Sequence, residues 1–343
     1  MTKKPLFSII IPVRKTNDYL KETVNHINKQ SLKSFEILVI TDKISIDKSA
    51  SLHHLGPSFK RNLGAKMAKG QYLAFLDDDS YPDLNWLKNA QKIFKLEKNA
   101  AAVCGPCLTP PKDNWLQQAS GLFWSTWMGS GGAGVYRNSV RDKRYVSDYP
   151  TVNLIVRKKD FLKIKGFNNQ YWPGEDTILC LDIIKKLKKQ IVYDPSIKVF
   201  HHRREVMIPH LQQITRYAIH RGFFAKKFPE TSFKIGYFLP SFFTLYIFAL
   251  LLINLSSAII SPLNQLFLWL FSIPLFCYLI LLFYNLFIFL LNKINLPTSI
   301  ITIISIPITH IYYGSLFLWG LSKNSLDFQP HKVNTKTGEY IGG

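Results

Sequence analysis

Gln71-Tyr72-Leu73-Ala74-Phe75-Leu76-Asp77-Asp78-Asp79 is the stretch that decides the fold. A short apolar run, bounded by Gly70 and ending in three carboxylates, reads as a buried strand with its charges at one sheet edge. The same grammar repeats on either side. Phe7-Ser8-Ile9-Ile10-Ile11-Pro12 and Phe35-Glu36-Ile37-Leu38-Val39-Ile40 read as strands, as does Ala100-Ala101-Ala102-Val103-Cys104. Residues 17–30, 58–69 and 83–97 read as helices between them. Strand and helix in strict alternation predict an α/β fold, a mostly parallel sheet with right-handed crossovers.

Ligands of such sheets bind beyond the carboxyl ends of the strands. The first strand ends in Pro12-Val13-Arg14, the second in Thr41-Asp42, the third in Asp77-Asp78-Asp79. No glycine-rich phosphate loop follows the first strand, which excludes a dinucleotide fingerprint and a P-loop. Three neighbouring carboxylates repel one another unless a cation sits among them, and oxygen donors suit Mg²⁺ or Mn²⁺. Alternate side chains of an extended stretch share a face, so Asp77 and Asp79 are expected to share one ion. A solvated acidic turn is the competing explanation.

A second acidic motif, Gly174-Glu175-Asp176, opens a helix expected to run to about Lys189. Acids are favoured at a helix N-terminus, which would explain the pair without function. The preceding Trp172-Pro173-Gly174 loop favours a general base acting on a hydroxyl. Gly129-Ser130-Gly131-Gly132-Ala133-Gly134 reads as a lid, an acceptor loop or a linker. Cys104-Gly105-Pro106-Cys107 imitates a redox motif, but Pro110-Pro111 follows where that motif needs a helix, so all four cysteines are expected to be reduced structural thiols.

The runs FSIIIPVRKTNDYLKETV, FEILVITD, KRNLGAKMAKGQYLAFLDDD and GEDTILCLDI resemble, in order and spacing, the family 2 glycosyltransferases over residues 6–205 or so. The resemblance implies the nucleotide-sugar-binding GT-A fold. It implies that Pro12 and Arg14 flank the nucleobase pocket, that Asp42 contacts the base, and that Arg61 and Asn62 also serve the nucleotide. Asp77 and Asp79 would hold the divalent ion (Mn²⁺ or Mg²⁺) and diphosphate, with Asp78 among the nucleotide-binding residues. His201, of the pair His201-His202, would complete the ion's shell. Asp176 would be the base of an inverting transfer, with Glu175 orienting the acceptor. From the residues alone, Arg203 and Arg204 either hold a lipid phosphate or form a basic membrane-facing surface. Gln213-Ile214-Thr215-Arg216-Tyr217 resembles the Q-x-x-R-W element of membrane synthases, which implies acceptor and diphosphate contacts for Gln213, Arg216 and Tyr217. After Asp42 the sequence departs from the family pattern, with Lys43-Ile44-Ser45-Ile46-Asp47 in place of a Ser/Gly-rich stretch.

Composition splits the 343-residue chain, whose formal charge is +21. Residues 235–343 contain four Lys, no Arg and two acids, so residues 1–234 carry a net +19. High apolar content and only four Cys exclude a disordered chain and a disulfide scaffold. Ile235–Asn292 and Ile294–Ser322 hold no Asp, Glu, Lys or Arg. About 20 apolar residues cross a bilayer as a helix. Spans are expected at about 237–260, 265–291 and 298–321, the first two separated by Ser261-Pro262; a re-entrant hairpin competes for one of them. The domain plan is then a catalytic domain 1–205, an amphipathic interfacial region 206–234, membrane helices 235–322 and a polar tail 323–343. An odd number of spans would put that tail across the membrane from the catalytic domain; an even number would keep both on one side. The run after Met1-Thr2-Lys3-Lys4-Pro5 is too short and wrongly flanked for a signal peptide, so none is expected. Bases before the first span, Arg203 to Lys234, place the catalytic domain on the cytoplasmic side of a cell membrane and suit anionic headgroups.

The expectation is therefore a multi-pass, membrane-anchored, metal-dependent transferase. It would take a nucleotide-sugar donor and a lipid-linked acceptor, with membrane lipids as partners and no nucleic acid. A processive polysaccharide synthase, a polyprenyl-phosphate glycosyltransferase and a non-enzymatic nucleotide-sugar-binding scaffold are the alternatives.

Overall fold

The computed structural model describes residues 4–42, 56–257 and 263–326. In chain order the elements are β1 Phe7–Pro12, α1 Asp18–Asn28, β2 Phe35–Ile40, α2 Pro57–Met67, β3 Tyr72–Phe75, β4 Ser80–Pro82, α3 Trp86–Leu96, β5 Ala100–Cys104 and β6 Cys107–Leu108. There follow α4 Trp115–Ser125, α5 Trp127–Asn138, β7 Arg144–Val146, β8 Leu154–Arg157, α6 Lys158–Lys163, α7 Glu175–Lys185, β9 Gln190–Tyr193 and β10 Val199–His201. The chain continues through α8 Ile208–Lys227, α9 Pro229–Ser232, α10 Ile235–Ser257, α11 Leu263–Leu291 and α12 Leu296–Ser322. The described residues divide into two compact units. The first comprises residues up to Pro110 with Tyr136–His202; the second comprises Pro111–Val135 with Arg203–Leu326.

The first unit is a mixed α/β domain around a seven-stranded sheet ordered β2-β1-β3-β8-β5-β9-β7. β1 pairs in parallel with β2 and β3, and β5 with β9. The four expected strands are present. β5 does not lie beside β3, however, because β8 inserts between them antiparallel to both. Strand alternation sorts the core: Phe7, Ile9 and Ile11 pack with Trp86, Leu87 and Phe94 of α3 on one face, while Ile10 and Phe75 face Ala65 and Phe161 on the other. α2 closes tightly on the sheet because a Cβ on Gly64 would lie 2.6 Å from Ile10 Cγ2. A second, three-stranded sheet, β4-β10-β6, pairs His201 with Ser80. Cys104, Cys107 and Cys180 are buried free thiols.

The second unit is helical. Asn114 and Gln117 form a reciprocal capping box that starts α4. The glycine-rich stretch 129–134 is helical, within α5, and kinks at Gly131 with φ +62°. α8 and α12 pack backbone to backbone. A Cβ on Gly222 would clash with the Phe317 carbonyl, and one on Gly320 with the Ile219 carbonyl. Three helices are long and apolar enough to cross a membrane: Ile235–Leu255, Leu268–Leu291 and Leu296–Ser322. Pro240, Pro274 and Pro307 lie inside them without ending them. The Ser261-Pro262 turn, the Lys43–Asp47 departure and most of the polar tail lie outside the described residues.

Candidate active site

α2 starts with Pro57, whose fixed φ suits the first helical position, and one turn on it presents Lys60 and Arg61. Lys60 Nζ donates to the Val13 carbonyl (2.8 Å) and pairs with Asp42 Oδ1 (2.5 Å). One ammonium thus ties together the ends of β1 and β2. Arg61 is only 4% exposed, and its two arms reach two motifs. Nη2 donates to Asp77 Oδ1 (2.6 Å) and Nη1 to Glu175 Oε1 (2.8 Å). Two acidic motifs almost a hundred residues apart in sequence meet on one guanidinium.

The carboxylates of the triplet diverge. Asp77 turns to Arg61. Asp78 accepts from Asn17 Nδ2 (2.8 Å), while Asn17 Oδ1 caps α1 by accepting from the Leu20 amide (2.7 Å). Burial, and then the neighbouring Asp79 charge, push Asp78 up to about 6. Asp79 Oδ1 is buried and lies 3.3 Å from His201 Nε2. The β4–β10 pairing makes this meeting, reinforced by the His202 amide donating to the Asp79 carbonyl (3.0 Å). Arg61 thus takes one oxygen of Asp77, the residue expected to share an ion with Asp79. Among the described residues no three His, Cys, Asp or Glu side chains converge closely enough to hold a metal by themselves. Asp79 with His201 supplies one hard oxygen and one imidazole nitrogen. That donor set fits a divalent cation whose other positions are left to water and phosphate.

Gly174 has φ +119°, a backbone conformation open to glycine, and delivers the chain into α7. Glu175 is 5% exposed, with Oε1 held by Arg61 and Oε2 accepting from the Gly174 amide (3.1 Å). Burial and then Asp176 push Glu175 up to about 7, against the pull of Arg61. Glu175 was expected to orient the acceptor. Both of its oxygens are engaged within the first unit, by Arg61 and by the Gly174 amide. Asp176 is only half-buried, and its Oδ1 accepts from the Thr177 amide (2.8 Å). Thr177 Oγ1 in turn donates to Asp148 (3.1 Å), which pairs with Arg137 (3.4 Å).

Asn62, expected at the nucleotide, bonds to the loop that leads to Gly174. Its side chain donates to the Phe167 carbonyl (2.8 Å) and accepts from the Phe167 amide (2.9 Å), pinning the loop before the Gly174 motif. Pro12 and Arg14 lie half-buried at the end of β1. His202 is held by Glu22 (2.9 Å) and stacks on Tyr19. Gln213, Arg216, Tyr217 and Arg203 belong to the second unit. There Gln213 Nε2 donates to Tyr217 Oη (3.0 Å), His220 Nδ1 to the Arg216 carbonyl (2.7 Å) and Gln117 Nε2 to the Arg203 carbonyl (3.0 Å). Sequence reasoning missed Lys60, Asn17, Thr177 and Asp148. Only Lys60 left a signal: it adjoins Arg61, and one helical step lets neighbours serve different strand ends.

Residues 72–291 match the family model described as "Glycosyl transferase family group 2". This chain belongs to that family. Among curated relatives of this family 2 chain, the GalNAc(5)-diNAcBac-PP-undecaprenol beta-1,3-glucosyltransferase of Campylobacter jejuni is 25% identical, over 51% of this chain and 58% of that protein. The glucosyl-dolichyl phosphate glucuronosyltransferase of Haloferax volcanii is 20% identical, over 52% of this chain and 63% of that protein. The family 2 chain thus spans less than two thirds of the length of the curated relatives it matches. A solved mannosyltransferase from Pyrobaculum calidifontis, in complex with GDP-Man and Mn²⁺, superposes with a TM-score of 0.58 at 15% identity, covering 93% of this chain and 88% of that one. At that identity the match establishes a GT-A-like fold followed by long apolar helices.

Proposed function

We propose that this chain is a membrane-anchored inverting glycosyltransferase, moving a sugar from a nucleotide donor to a lipid-linked acceptor on the cytoplasmic side. The observation that carries the reading is the Arg61 bridge, which brings the acidic triplet and the Gly174-Glu175-Asp176 motif into one site. Lipid-linked sugars appear in the names of the Campylobacter and Haloferax relatives, and a nucleotide sugar with Mn²⁺ occupies the Pyrobaculum structure.

In this reading Asp176 takes the proton of an acceptor hydroxyl. The hydroxyl oxygen attacks the anomeric carbon from the face opposite the nucleotide diphosphate. The bond from that carbon to the diphosphate breaks, the diphosphate leaves with the electron pair, and configuration inverts. Asp79 and His201 would hold a divalent cation, which when bound neutralises charge on the leaving diphosphate. Asp42, held by Lys60, lies at the nucleobase end. Arg61 and Glu175 are positioning residues that fix α7, and so Asp176, against the triplet.

The test is a transfer assay with purified chain, a panel of nucleotide sugars and a polyprenyl-diphosphate-linked sugar. Asp176→Asn is expected to lose about 10²–10⁴-fold in rate, the usual worth of a general base. Asp79→Asn should lose cation-dependent transfer, with both variants retaining the wild-type circular dichroism. Full activity in either would remove the role assigned to that residue.

A further inference from the structure

Hydropathy marks α10, α11 and α12 alike as candidate crossings, but their packing does not allow all three to cross. Phe238 meets Phe317 (4.8 Å between ring centroids), Ser241 Oγ donates to the Gly314 carbonyl (3.1 Å) and Thr244 Oγ1 donates to the His310 carbonyl (3.3 Å). Residue numbers rise along α10 as they fall along α12, so this pair is antiparallel. Phe243 stacks on Tyr278 (4.4 Å) and Tyr246 Oη donates to the Phe271 carbonyl (2.8 Å), so α10 and α11 are antiparallel as well. Tyr278 Oη is 2.9 Å from His310 Nδ1, and Leu282 shares a buried cluster with Ile306, so α11 and α12 are antiparallel too. Three consecutive crossings alternate in direction, which makes the first and third parallel. Here they are not.

α8 identifies the helix that stays out. His210 contacts Thr309 (3.2 Å), Thr215 contacts Tyr312 (2.8 Å) and Lys226 Nζ donates to Asn324 Oδ1 (2.7 Å), so α8 and α12 run side by side in the same direction. α8 carries Arg216, Arg221, Lys226 and Lys227 and is excluded from hydrocarbon. The C-terminal half of α12 lies at the same depth. The faces of α12 agree with this. Ile300, Ile304, Ile311 and Trp319 are exposed, whereas Thr298, Thr302, Ser305 and Thr309 are covered. More of α12 is buried than of α10 or α11.

We infer that α8 and α12 form one platform lying in the lipid–water boundary, and that the α10–α11 hairpin alone enters the bilayer. The apolar arc of α12 faces the acyl boundary, as in other in-plane helices. The fitting partner is an anionic leaflet. Lys226, Lys227, Lys234 and Lys323 cluster where α8 and α12 end and α10 begins, and Glu230 is the single acid between residues 206 and 326. Phe233 and Ile235 are exposed beside these bases. The inference is independent of the proposed chemistry.

Side-specific labelling tests it. In the full chain carrying Cys277→Ser, with Cys104, Cys107 and Cys180 buried, either Lys227→Cys or Asn324→Cys supplies the reactive thiol. A membrane-impermeant maleimide is applied to intact expressing cells and again after permeabilisation. Both positions are expected to label from the same side; labelling from opposite sides would restore α12 as a third crossing and overturn the inference. The lipid partner is tested by reconstitution. Phosphatidylglycerol is expected to raise the melting temperature above its value in phosphatidylcholine, and the combined variant Lys226→Gln, Lys227→Gln, Lys234→Gln to lose that gain. An undiminished gain in the variant, or the same gain from soluble glycerol phosphate, overturns the headgroup contact.

Discussion

A single guanidinium organises the candidate site. Arg61 is buried between Asp77 and Glu175, with Asp176 close by, so one positive charge faces three carboxylates. Burying an ion pair is not by itself stabilising, but removing one partner leaves an uncompensated charge and costs about 3–5 kcal/mol. Burial first, and then the surplus of negative charge, explain why Glu175 resists ionisation. Its pKa is about 7 in the folded chain against an ordinary 4.5, so between these values the folded state binds more protons than the unfolded state. The contribution of Glu175 to stability is then fully present below about pH 4.5 and is lost as pH rises through about 7. Glu175→Gln has nothing to titrate. Its melting temperature in detergent is expected to fall less than that of the wild type as pH is raised from 4.5 to 7.5; identical pH profiles would show that Glu175 titrates normally.

At the scale of elements, what the sequence disclosed depended on whether the cause was local. β1, β2, β3 and β5 were legible because each is a β-branched or apolar run bounded by turn residues. β8 was not, because its antiparallel place is set by the neighbours β3 and β5 rather than by its own residues. The candidate site divides the same way. The acidic triplet and Glu175-Asp176 stand out in the sequence. The engagement of Asn62 with Phe167, and of Asp77 with Arg61, arises only when distant segments meet. The α8–α12 seam is likewise a tertiary product, since glycines at Gly222 and Gly320 have no periodicity to announce them. At this seam the atom facing Gly222 is the backbone carbonyl of Phe317, which cannot swing aside as a side chain can. Gly222→Ala should cost about 1–3 kcal/mol through overpacking, read as a lower melting temperature in detergent. Gly236→Ala is the control: nothing lies within 4 Å of its added methyl, and alanine favours the helix by up to about 1 kcal/mol, so a neutral or slightly raised melting temperature is expected. Equal losses in both variants would mean that the seam is not tightly packed.

For the whole molecule, the charge split and the acidic strand ends point to one arrangement, an α/β domain carrying a cluster of carboxylates on a chain otherwise rich in base. Five acids, Asp77, Asp78, Asp79, Glu175 and Asp176, lie in a first unit whose described partners for them include one buried arginine and one histidine. A nucleotide diphosphate brings further negative charge to such a place, so its binding should depend on a cation arriving with it. Anything that binds only the folded state stabilises it by mass action, about 2.7 kcal/mol at a hundred times its dissociation constant. A nucleotide sugar that fits is therefore expected to raise the melting temperature of the full chain in the presence of Mn²⁺ and to lose most of that effect with chelator. His201→Ala should abolish the Mn²⁺-dependent part while leaving the melting temperature without ligand near that of the wild type, because His201 forms the last pair of the β4–β10 ladder and lies outside the buried core clusters. His202→Ala, which breaks the contact to Glu22 instead, should retain the Mn²⁺ effect. If His201→Ala responds to nucleotide sugar and Mn²⁺ as the wild type does, the ion is held elsewhere, and the Asp79–His201 pair is only a structural contact between β10 and the end of the triplet.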